Sequence, residues 1–305
     1  MNGRRGGRRR GMGPGVDSRA MRPGPASRPG RAAAPTPVER DSIVTAIDFA
    51  AFVNDLADLS ARTIAPFFRS AMTMENKAGQ GAFDPVTEAD RAAEAAMRAR
   101  IRQTFPAHGV EGEEYGDERA SSEYVWVLDP IDGTAAFISG LPLWGTLIGL
   151  KRNGAPVYGM MCQPFIGEKF YGDCGQSRYQ RGAETRVIRT RRCASLAEAT
   201  LSSTSPHLFS EAEAGAFDQV RRAARLTRYG ADCYAYCLLA AGHIDLVIEA
   251  GLKPCDIAPL IPIIQGAGGV VTTWDGQPAT HGGRIIAAGD PTIHAAAMRL
   301  LAGAA

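Results

Sequence analysis

The amino-acid sequence predicts an α/β protein, α+β in its first half, in which sheets and helices are layered on one another. Apolar runs at residues 143–151 and 156–163 flank Asn153-Gly154, a strong signal for a tight hairpin and therefore for an antiparallel first sheet. The second half alternates short apolar runs with helical stretches, which predicts a mixed second sheet. We expect two subdomains, 39–190 and 191–305, after an arm at 1–38.

The arm consists mainly of Arg, Gly, Pro and Ala, so we expect it to be disordered. Ten arginines against two acidic residues give the first 40 residues a net charge of +8, and because the whole chain carries +2, the remainder carries −6. Three interpretations stay open: a start codon assigned too early, which we favour, a basic arm that binds RNA or anionic surfaces, or an Arg-rich targeting peptide. The acidic remainder argues against a nucleic-acid-binding surface on the body.

The cysteines and apolar runs indicate a cytoplasmic protein. The six cysteines include no CxxC pair and the five histidines are isolated from one another, which argues against disulfides and against a zinc centre. No apolar run approaches a membrane span, and no signal-peptide core follows the arginines. We therefore expect no association with a membrane.

Two helical patterns come first in the body. Apolar residues recur at three- and four-residue steps across 42–72, which predicts a helix. A polar loop follows, and Thr87 then has the position of an N-cap for a second helix that runs to about residue 104, with Asp90 at the capping-box position. On this stretch alone, Asp90 could serve only that cap.

The segment 129–134, with the sequence DPIDGT, follows an apolar run at 124–128 that predicts a buried strand. Its proline and glycine favour a turn. A turn at the carboxyl end of a strand can direct Asp129, Asp132 and one backbone carbonyl at a single point, and such an oxygen-only site suits magnesium. The alternative is that the two aspartates only cap backbone amides.

Two further acids stand at the ends of elements, beside glycine or proline. Glu113 follows Gly112, where a solvated acidic loop is the alternative. Asp256 stands at the start of a helix predicted at 255–267, where an N-cap is the alternative.

The other elements predicted after residue 163 are strands at 169–172, 200–203, 226–229, 244–249, 270–273 and 285–288, and helices at 207–224, 231–241 and 291–301.

Four blocks in this order resemble the inositol monophosphatase superfamily of magnesium-dependent phosphatases. The resemblance covers about residues 45–301 and implies an αβαβα sandwich, hydrolysis of a small phosphomonoester and a homodimer. The blocks are DPVTEAD at 84–90, GEE at 112–114, DPIDGT at 129–134 with Phe137, and Asp256 followed by GAGG at 266–269.

Within that superfamily the chain is most similar to the histidinol-phosphate phosphatase branch. Cys255 replaces the aromatic residue, commonly tyrosine, and Gln265 the glutamate expected at these positions; neither falls on a metal ligand that the resemblance implies. The branch markers are FISGLPLWGT at 137–146, DCYAYC at 232–237, and LKP at 252–254 ahead of Asp256, where inositol-type members usually carry a tryptophan.

The branch implies magnesium-dependent hydrolysis of L-histidinol phosphate to L-histidinol and phosphate. One alternative is a phosphatase of the same superfamily for inositol 1-phosphate or a 3′(2′),5′-bisphosphate nucleotide, against which the missing tryptophan argues. A second alternative, from another class, is an RNA-associated protein with a vestigial site. The complete set of expected ligands argues against it.

The resemblance also implies the ligands of two or three Mg²⁺ ions per active site. Glu113, Asp129 and the carbonyl of Ile131 would hold one ion. Asp129, Asp132 and Asp256 would hold a second, so that Asp129 bridges the two. Paired cations of this kind stabilise both the attacking and the leaving oxygen of a phosphoryl transfer.

The remaining roles follow from the same resemblance. Thr134 and Asp90 would form a dyad that, with Glu113, orients and deprotonates the attacking water. Gly133 and Thr134 would begin a helix whose amides bind the phosphate, beside the ligands Ile131, Asp132 and Asp256.

Substrate choice would lie in the second half of the chain. Glu249 would contact the alcohol portion of the substrate, and Arg228 and Asp232 would flank a glycine turn that faces the same cleft. Lys77 stands where the superfamily often has a lysine, or is a solvated loop residue.

Overall fold

The computed structural model describes residues 37–70, 74–76 and 85–302, with side chains for 51–70 and 88–302. Lys77 and nearly all of the predicted arm lie outside this part. Among the described residues, those from Ala46 onwards form one compact unit, and residues 37–45 belong to another unit. The helices of the described part are α1 (Pro37–Ile64), α2 (Glu88–Thr104), α3 (Thr134–Ile138), α4 (Glu211–Ala223), α5 (Asp232–Ala240), α6 (Pro254–Ile257), α7 (Leu260–Gly266) and α8 (Pro291–Leu301).

The strands of the first half form a two-stranded pair and a large sheet. In chain order they are β1 (Met74–Asn76), β2 (Pro85–Thr87), β3 (Gly109–Gly112), β4 (Gly116–Glu118), β5 (Tyr124–Asp132), β6 (Gly145–Arg152), β7 (Ala155–Gln163), β8 (Glu168–Gly172), β9 (Ser177–Arg181) and β10 (Glu184–Ile188). Strands β1 and β2 pair with each other. The others have the order β10-β9-β8-β7-β6-β5-β3-β4, antiparallel throughout except for the parallel pair β3 and β5.

The strands of the second half form a smaller, mixed sheet, as predicted. Its order is β12-β11-β13-β15-β14, with β11 parallel to both of its neighbours and β15 antiparallel to both of its own. These strands are β11 (Thr200–Ser203), β12 (Leu226–Tyr229), β13 (Leu246–Leu252), β14 (Val270–Thr273) and β15 (Gly283–Ala288).

The buried side chains define five layers. Helices α1 and α2 pack on the outer face of the large sheet, where Leu56 and Met97 meet Trp126. Helices α5 and α7 lie between the two sheets, and α4 and α8 cover the outer face of the second sheet. Strands β13 and β15 are apolar on both faces because each face meets a helix layer. The αβαβα sandwich implied by the resemblance is therefore confirmed.

Several predicted elements differ in detail from the observed ones. The hairpin at Asn153-Gly154 is confirmed, with positive φ angles of 50° and 80° at its two residues. The first helix ends at Ile64 rather than near residue 72, and the helix predicted at 255–267 is divided near Pro259. Strands β1, β2, β3, β4, β9 and β10 were missed because they are short and most are rich in glycine, polar or charged residues. The predicted subdomain boundary lies between β10 and β11 and stays a prediction.

The close approach of α7 to β7 requires a glycine. A Cβ at Gly159 would lie 1.7 Å from the carbonyl oxygen of Pro259, which is backbone and cannot rotate away. We expect Gly159→Ala to lower the free energy of unfolding by about 3 kcal/mol, because the two layers would have to separate. Urea denaturation measures this change.

The matched control for this prediction is Gly215→Ala in α4, where a Cβ would meet no atom within 4 Å. That substitution should stabilise the protein by about 0.5–1 kcal/mol, because alanine is the better helix former. Equal unfolding midpoints for the two variants would contradict the proposed steric cause.

Candidate active site

Four carboxylates from separate parts of the chain meet at the carboxyl end of β5. One carboxylate oxygen from each of Asp129, Asp132 and Asp256 lies within 4.8 Å of the other two. A second group of the same size combines Asp129 with Glu113 and the thiol of Cys255. Asp129 belongs to both groups, so its carboxylate is the centre of the site.

A bulge in β5 brings Asp129 and Asp132 to the same site. Asp129 pairs with Leu147 and Asp132 with Gly145, so β5 has one residue more than β6 across this step. In a regular strand, residues three apart point to opposite faces. The extra residue at the bulge shifts this alternation by one position, so both aspartate side chains can point to the same face. The prediction that these aspartates follow the strand in a turn was wrong: β5 continues through Pro130 to Asp132.

Hydrogen bonds hold the bulge in shape. The Ile131 amide donates to Asp129 Oδ1 at 3.1 Å, and Thr146 Oγ1 donates to the Pro130 carbonyl at 2.7 Å. The Thr134 hydroxyl donates to the Ile131 carbonyl at 3.1 Å. The Ile131 carbonyl, which the resemblance assigns as a metal ligand, therefore accepts a hydrogen bond from Thr134 in this structure.

Glu113 is held at the site by a buried ion pair that the sequence did not reveal. Its amide donates to the Leu128 carbonyl at 3.2 Å. The next two amides, of Glu114 and Tyr115, donate to the carboxylate of Glu94 at 2.7 and 3.2 Å. Glu94 is fully buried and pairs with Arg98 Nε at 2.7 Å. Together these contacts fix the backbone on both sides of the Glu113 side chain.

Because Glu94 positions this loop, we expect Glu94→Gln to weaken magnesium binding. Glutamine retains one oxygen, and its NH₂ group would face an amide donor. The concentration of Mg²⁺ that gives half-maximal activity should rise by about tenfold or more, as is usual when a group supporting a metal ligand is removed. Magnesium titrations, by activity and by calorimetry, measure the change.

The matched control is Glu184→Gln on the exposed strand β10, which should leave the magnesium requirement unchanged. If Glu94→Gln folds and keeps the wild-type magnesium requirement, Glu94 does not position Glu113 for metal binding.

Asp256 both caps a helix and joins the cluster. Its Oδ2 accepts a hydrogen bond from the Lys253 amide at 2.7 Å at the start of α6. Asp256 therefore also has the helix-capping role that the sequence analysis gave as the alternative. The Cys255 thiol donates to its Oδ1 at 3.4 Å. Lys253 Nζ lies 2.9 Å from Glu113 Oε1, so an ammonium group borders the carboxylates on this side. Spacing along the chain revealed neither the thiol nor the ammonium group.

The short helix α3 begins beside the cluster. Gly133 precedes it with φ 87°, and no side chain caps this N-terminus. A Cβ at Gly133 would lie 3.2 Å from the side chain of Asp232, so glycine is favoured both by the backbone angle and by the space. The predicted helix start at Gly133 and Thr134 is confirmed. Its amides can bind an anion that approaches the carboxylates.

The cluster concentrates negative charge in a buried place. Burial raises the pKa of Asp129 well above its usual range, and Glu113, Asp132, Asp256 and Asp90 raise it further. Burial likewise raises the pKa of Asp256 to about 6. Carboxylates that repel one another in a low-dielectric place favour a bound cation. Asp129, Asp132 and Asp256 form an oxygen-only donor group of the kind that suits Mg²⁺, so these residues fit the predicted metal.

Asp90 lies close enough to raise the pKa of Asp129 and is buried on α2. The observed partner of the Thr134 hydroxyl is the Ile131 carbonyl. The dyad of Thr134 with Asp90 therefore stays a prediction.

The predicted substrate residues differ in their surroundings. Asp232 lies against Gly133, and burial raises its pKa to about 6. Glu249 is buried, accepts from the amide and hydroxyl of Thr204 at 2.9 and 2.5 Å, and has a pKa of about 7 through burial. Arg228 is exposed on the edge strand β12. Only Asp232 directly adjoins the helix start, and all three roles stay predictions.

The layered fold and the carboxylate cluster beside a helix start define a metal-dependent phosphatase. The inositol monophosphatase family model matches residues 48–304, and the chain belongs to this family. The family is metal-dependent, generally with Mg²⁺, and acts on small phosphomonoesters.

The similar proteins include both histidinol-phosphatases and inositol monophosphatases. The bifunctional phosphatase IMPL2, chloroplastic, of Arabidopsis thaliana is 44% identical over 83% of this chain and 75% of its own length. The histidinol-phosphatase of Mycobacterium tuberculosis is 35% identical over 67% of this chain and 79% of its own. The structure of an inositol monophosphatase from Zymomonas mobilis aligns with a TM-score of 0.75 and 42% identity, covering 84% of this chain and 98% of the other.

Proposed function

We propose that the protein is a Mg²⁺-dependent phosphomonoesterase that hydrolyses L-histidinol phosphate to L-histidinol and phosphate. The observation that carries the phosphatase chemistry is the position of Asp129, shared by two groups of metal-ligating side chains. The choice of substrate is supported by the histidinol-phosphatases among the similar proteins and by the acidic side chain of Asp232 beside the start of α3.

Glu113, Asp129 and the Ile131 carbonyl would hold one ion, and Asp129, Asp132 and Asp256 a second. When bound, the ions neutralise the phosphate dianion and acidify the attacking water. Asp129 would contribute one carboxylate to both positions.

The chain itself supplies the remaining groups. The amides at the start of α3 bind phosphate oxygens, and Gly133 lets the phosphate approach the backbone closely. Thr134 and Asp90 orient the attacking water and take up its proton. Glu113 accepts a hydrogen bond from the same water.

Asp232 and Glu249 would recognise the alcohol end of the substrate. Histidinol phosphate carries an ammonium and an imidazole, and both are complemented by carboxylates. Asp232 would contact the substrate directly. Glu249 would act with Thr204 on the wall of the same cleft. Arg228 would lie at its rim, on β12.

The test is a comparison of kcat/KM for L-histidinol phosphate, inositol 1-phosphate and adenosine 3′,5′-bisphosphate, with magnesium present. We expect histidinol phosphate to be preferred by about tenfold or more, the usual gain from a few well-placed polar contacts. Equal or lower kcat/KM for histidinol phosphate would overturn the substrate assignment.

The alternative substrate is inositol 1-phosphate, favoured by the alignment with the Zymomonas mobilis inositol monophosphatase. Asp232→Asn separates the two possibilities. If Asp232 binds the ammonium group, the variant should lose kcat/KM on histidinol phosphate and much less on inositol 1-phosphate. Equal losses on both would indicate that Asp232 only supports the site.

Assembly and location complete the proposal. Within the described residues, no helix combines the length and apolar character needed to cross a membrane. We propose a cytoplasmic homodimer, and light scattering on the purified protein tests the dimer. Filter binding with and without residues 1–38 tests the RNA-associated alternative, for which an arm-dependent, salt-sensitive affinity would be required.

A further inference from the structure

The thiol of Cys255 points into the carboxylate cluster. Its Sγ and one carboxylate oxygen each from Glu113 and Asp129 lie within 4.8 Å of one another. The same Sγ lies 3.4 Å from Asp256 Oδ1. Cys255 is 8% exposed and packs with Val127 and Ala258, so the apolar neighbours hold the side chain from the other direction.

These three groups can surround one ion with small rotations of their side chains. A tetrahedral ion at about 2.1 Å from oxygen and about 2.3 Å from sulfur holds such ligands roughly 3.6 Å apart. The three ligand atoms already lie within 4.8 Å of one another. Glu113 would exchange its 2.9 Å ion pair with Lys253 for the ion and Cys255 would rotate its thiol, whereas Asp129 is already held by the Ile131 amide.

The chemistry of sulfur makes this position unlike an ordinary magnesium site. Magnesium prefers hard oxygen ligands, whereas thiolate favours thiophilic ions such as Zn²⁺, Cd²⁺ or Co²⁺. The aromatic residue usual at this position in the resembled branch offers no soft donor. Cys255 therefore adds a soft donor to the Glu113 side of the site.

We propose that Glu113, Asp129 and Cys255 form a mixed oxygen–sulfur site that binds a thiophilic divalent ion in competition with Mg²⁺. On binding, the metal–sulfur bond forms and the thiol proton passes to solvent. A zinc ion held there occupies the position of the first magnesium and inhibits turnover. The inhibition, though not the binding, rests on the proposed phosphatase function.

The experiment uses Co²⁺ as a spectroscopic probe on the full-length protein after treatment with a chelator. Cobalt bound to a thiolate gives a near-ultraviolet charge-transfer absorption, which a site of oxygen ligands lacks. The wild type is compared with Cys255→Ser and with a matched control, Cys174→Ser, whose half-buried thiol lies in the loop between β8 and β9. Circular dichroism checks folding, and Cys255→Tyr replaces the serine variant if that variant does not fold.

We expect the absorption band in the wild type and in Cys174→Ser but not in Cys255→Ser. Zinc should abolish the band, and the zinc concentration that half-inhibits magnesium-dependent turnover should rise by about tenfold or more in Cys255→Ser. The same band in wild type and Cys255→Ser, or cobalt binding without any band in the wild type, would overturn the proposal. A band in a protein that hydrolyses none of the phosphomonoesters would support the mixed site while the proposed function fails.

Discussion

Replacing Asp129 by asparagine is expected to abolish turnover while the fold survives. Loss of one stabilising group at a reacting centre typically lowers kcat by about 10²–10³, and Asp129 would serve both of the proposed metal positions, so we expect a loss of about 10³ or more. Steady-state kinetics at saturating Mg²⁺ measure this effect. Asparagine preserves the shape of the side chain, so the loss reports charge rather than packing.

The stability of Asp129→Asn tests the same assignment independently. Asp129 is 1% exposed and faces Glu113, Asp132 and Asp256, so in the metal-free protein its charge is destabilising. We expect the metal-free variant to melt at the same temperature as the metal-free wild type or above it. We also expect magnesium to stabilise the wild type more than the variant.

Asp275→Asn provides the control for both measurements. Asp275 is exposed and pairs with Arg284 at the surface, where such pairs contribute little to stability. Its loss should change neither turnover nor the response to magnesium. Outright unfolding of Asp129→Asn, or retained activity, would contradict the role of Asp129 as the shared ligand.

Removal of magnesium by a chelator is expected to have the second large effect. Turnover of every phosphomonoester should stop and should return when Mg²⁺ is restored, because without the ions the carboxylates of the cluster repel the phosphate dianion, and the single ammonium of Lys253 beside Glu113 does not offset their charge. Turnover that persists after exhaustive chelation would show that the metal-free site is sufficient.

Chelation should also make stability depend on pH in a defined direction. Burial raises the pKa of Asp232 and of Asp256 from 3.8 to about 6 in the folded protein. Between these values the folded state binds more protons than the unfolded state, so the stability contributed by these groups falls as pH rises through about 6. Above that range both states are ionised and the full destabilisation is present.

Bound magnesium offsets this destabilisation by compensating the charge. We therefore expect the difference in melting temperature between the magnesium-loaded and the metal-free protein to grow from about pH 4 to about pH 7 and then level off. Taking the difference cancels the contribution of groups outside the cluster, such as Asp218 on α4, whose pKa is lowered by Arg221. A difference that shrinks as pH rises would contradict the sign of these shifts.

The sequence predicted the site more completely than it predicted the strands around it. Short blocks with glycine and proline identified Glu113, Asp129, Asp132 and Asp256, since four such acids at the ends of apolar elements, in this order, seldom arise by chance. The five-layer fold followed from the same resemblance. The strands β1, β2, β3, β4, β9 and β10 were not predicted, because each is short and obtains its stability from paired neighbours rather than from its own apolar pattern.

The sequence by itself determined the fold class, the family and the identity of the acidic residues, because short local motifs are recognisable without knowledge of the contacts in the folded protein. Only the tertiary structure decided that a bulge aligns Asp129 with Asp132, that Glu94 holds the loop of Glu113, and that the thiol of Cys255 faces the same cluster. The reason is physical. Each of these arrangements joins residues from different strands or helices, and the distance between them is set by the packing of layers, which spacing along the chain does not encode.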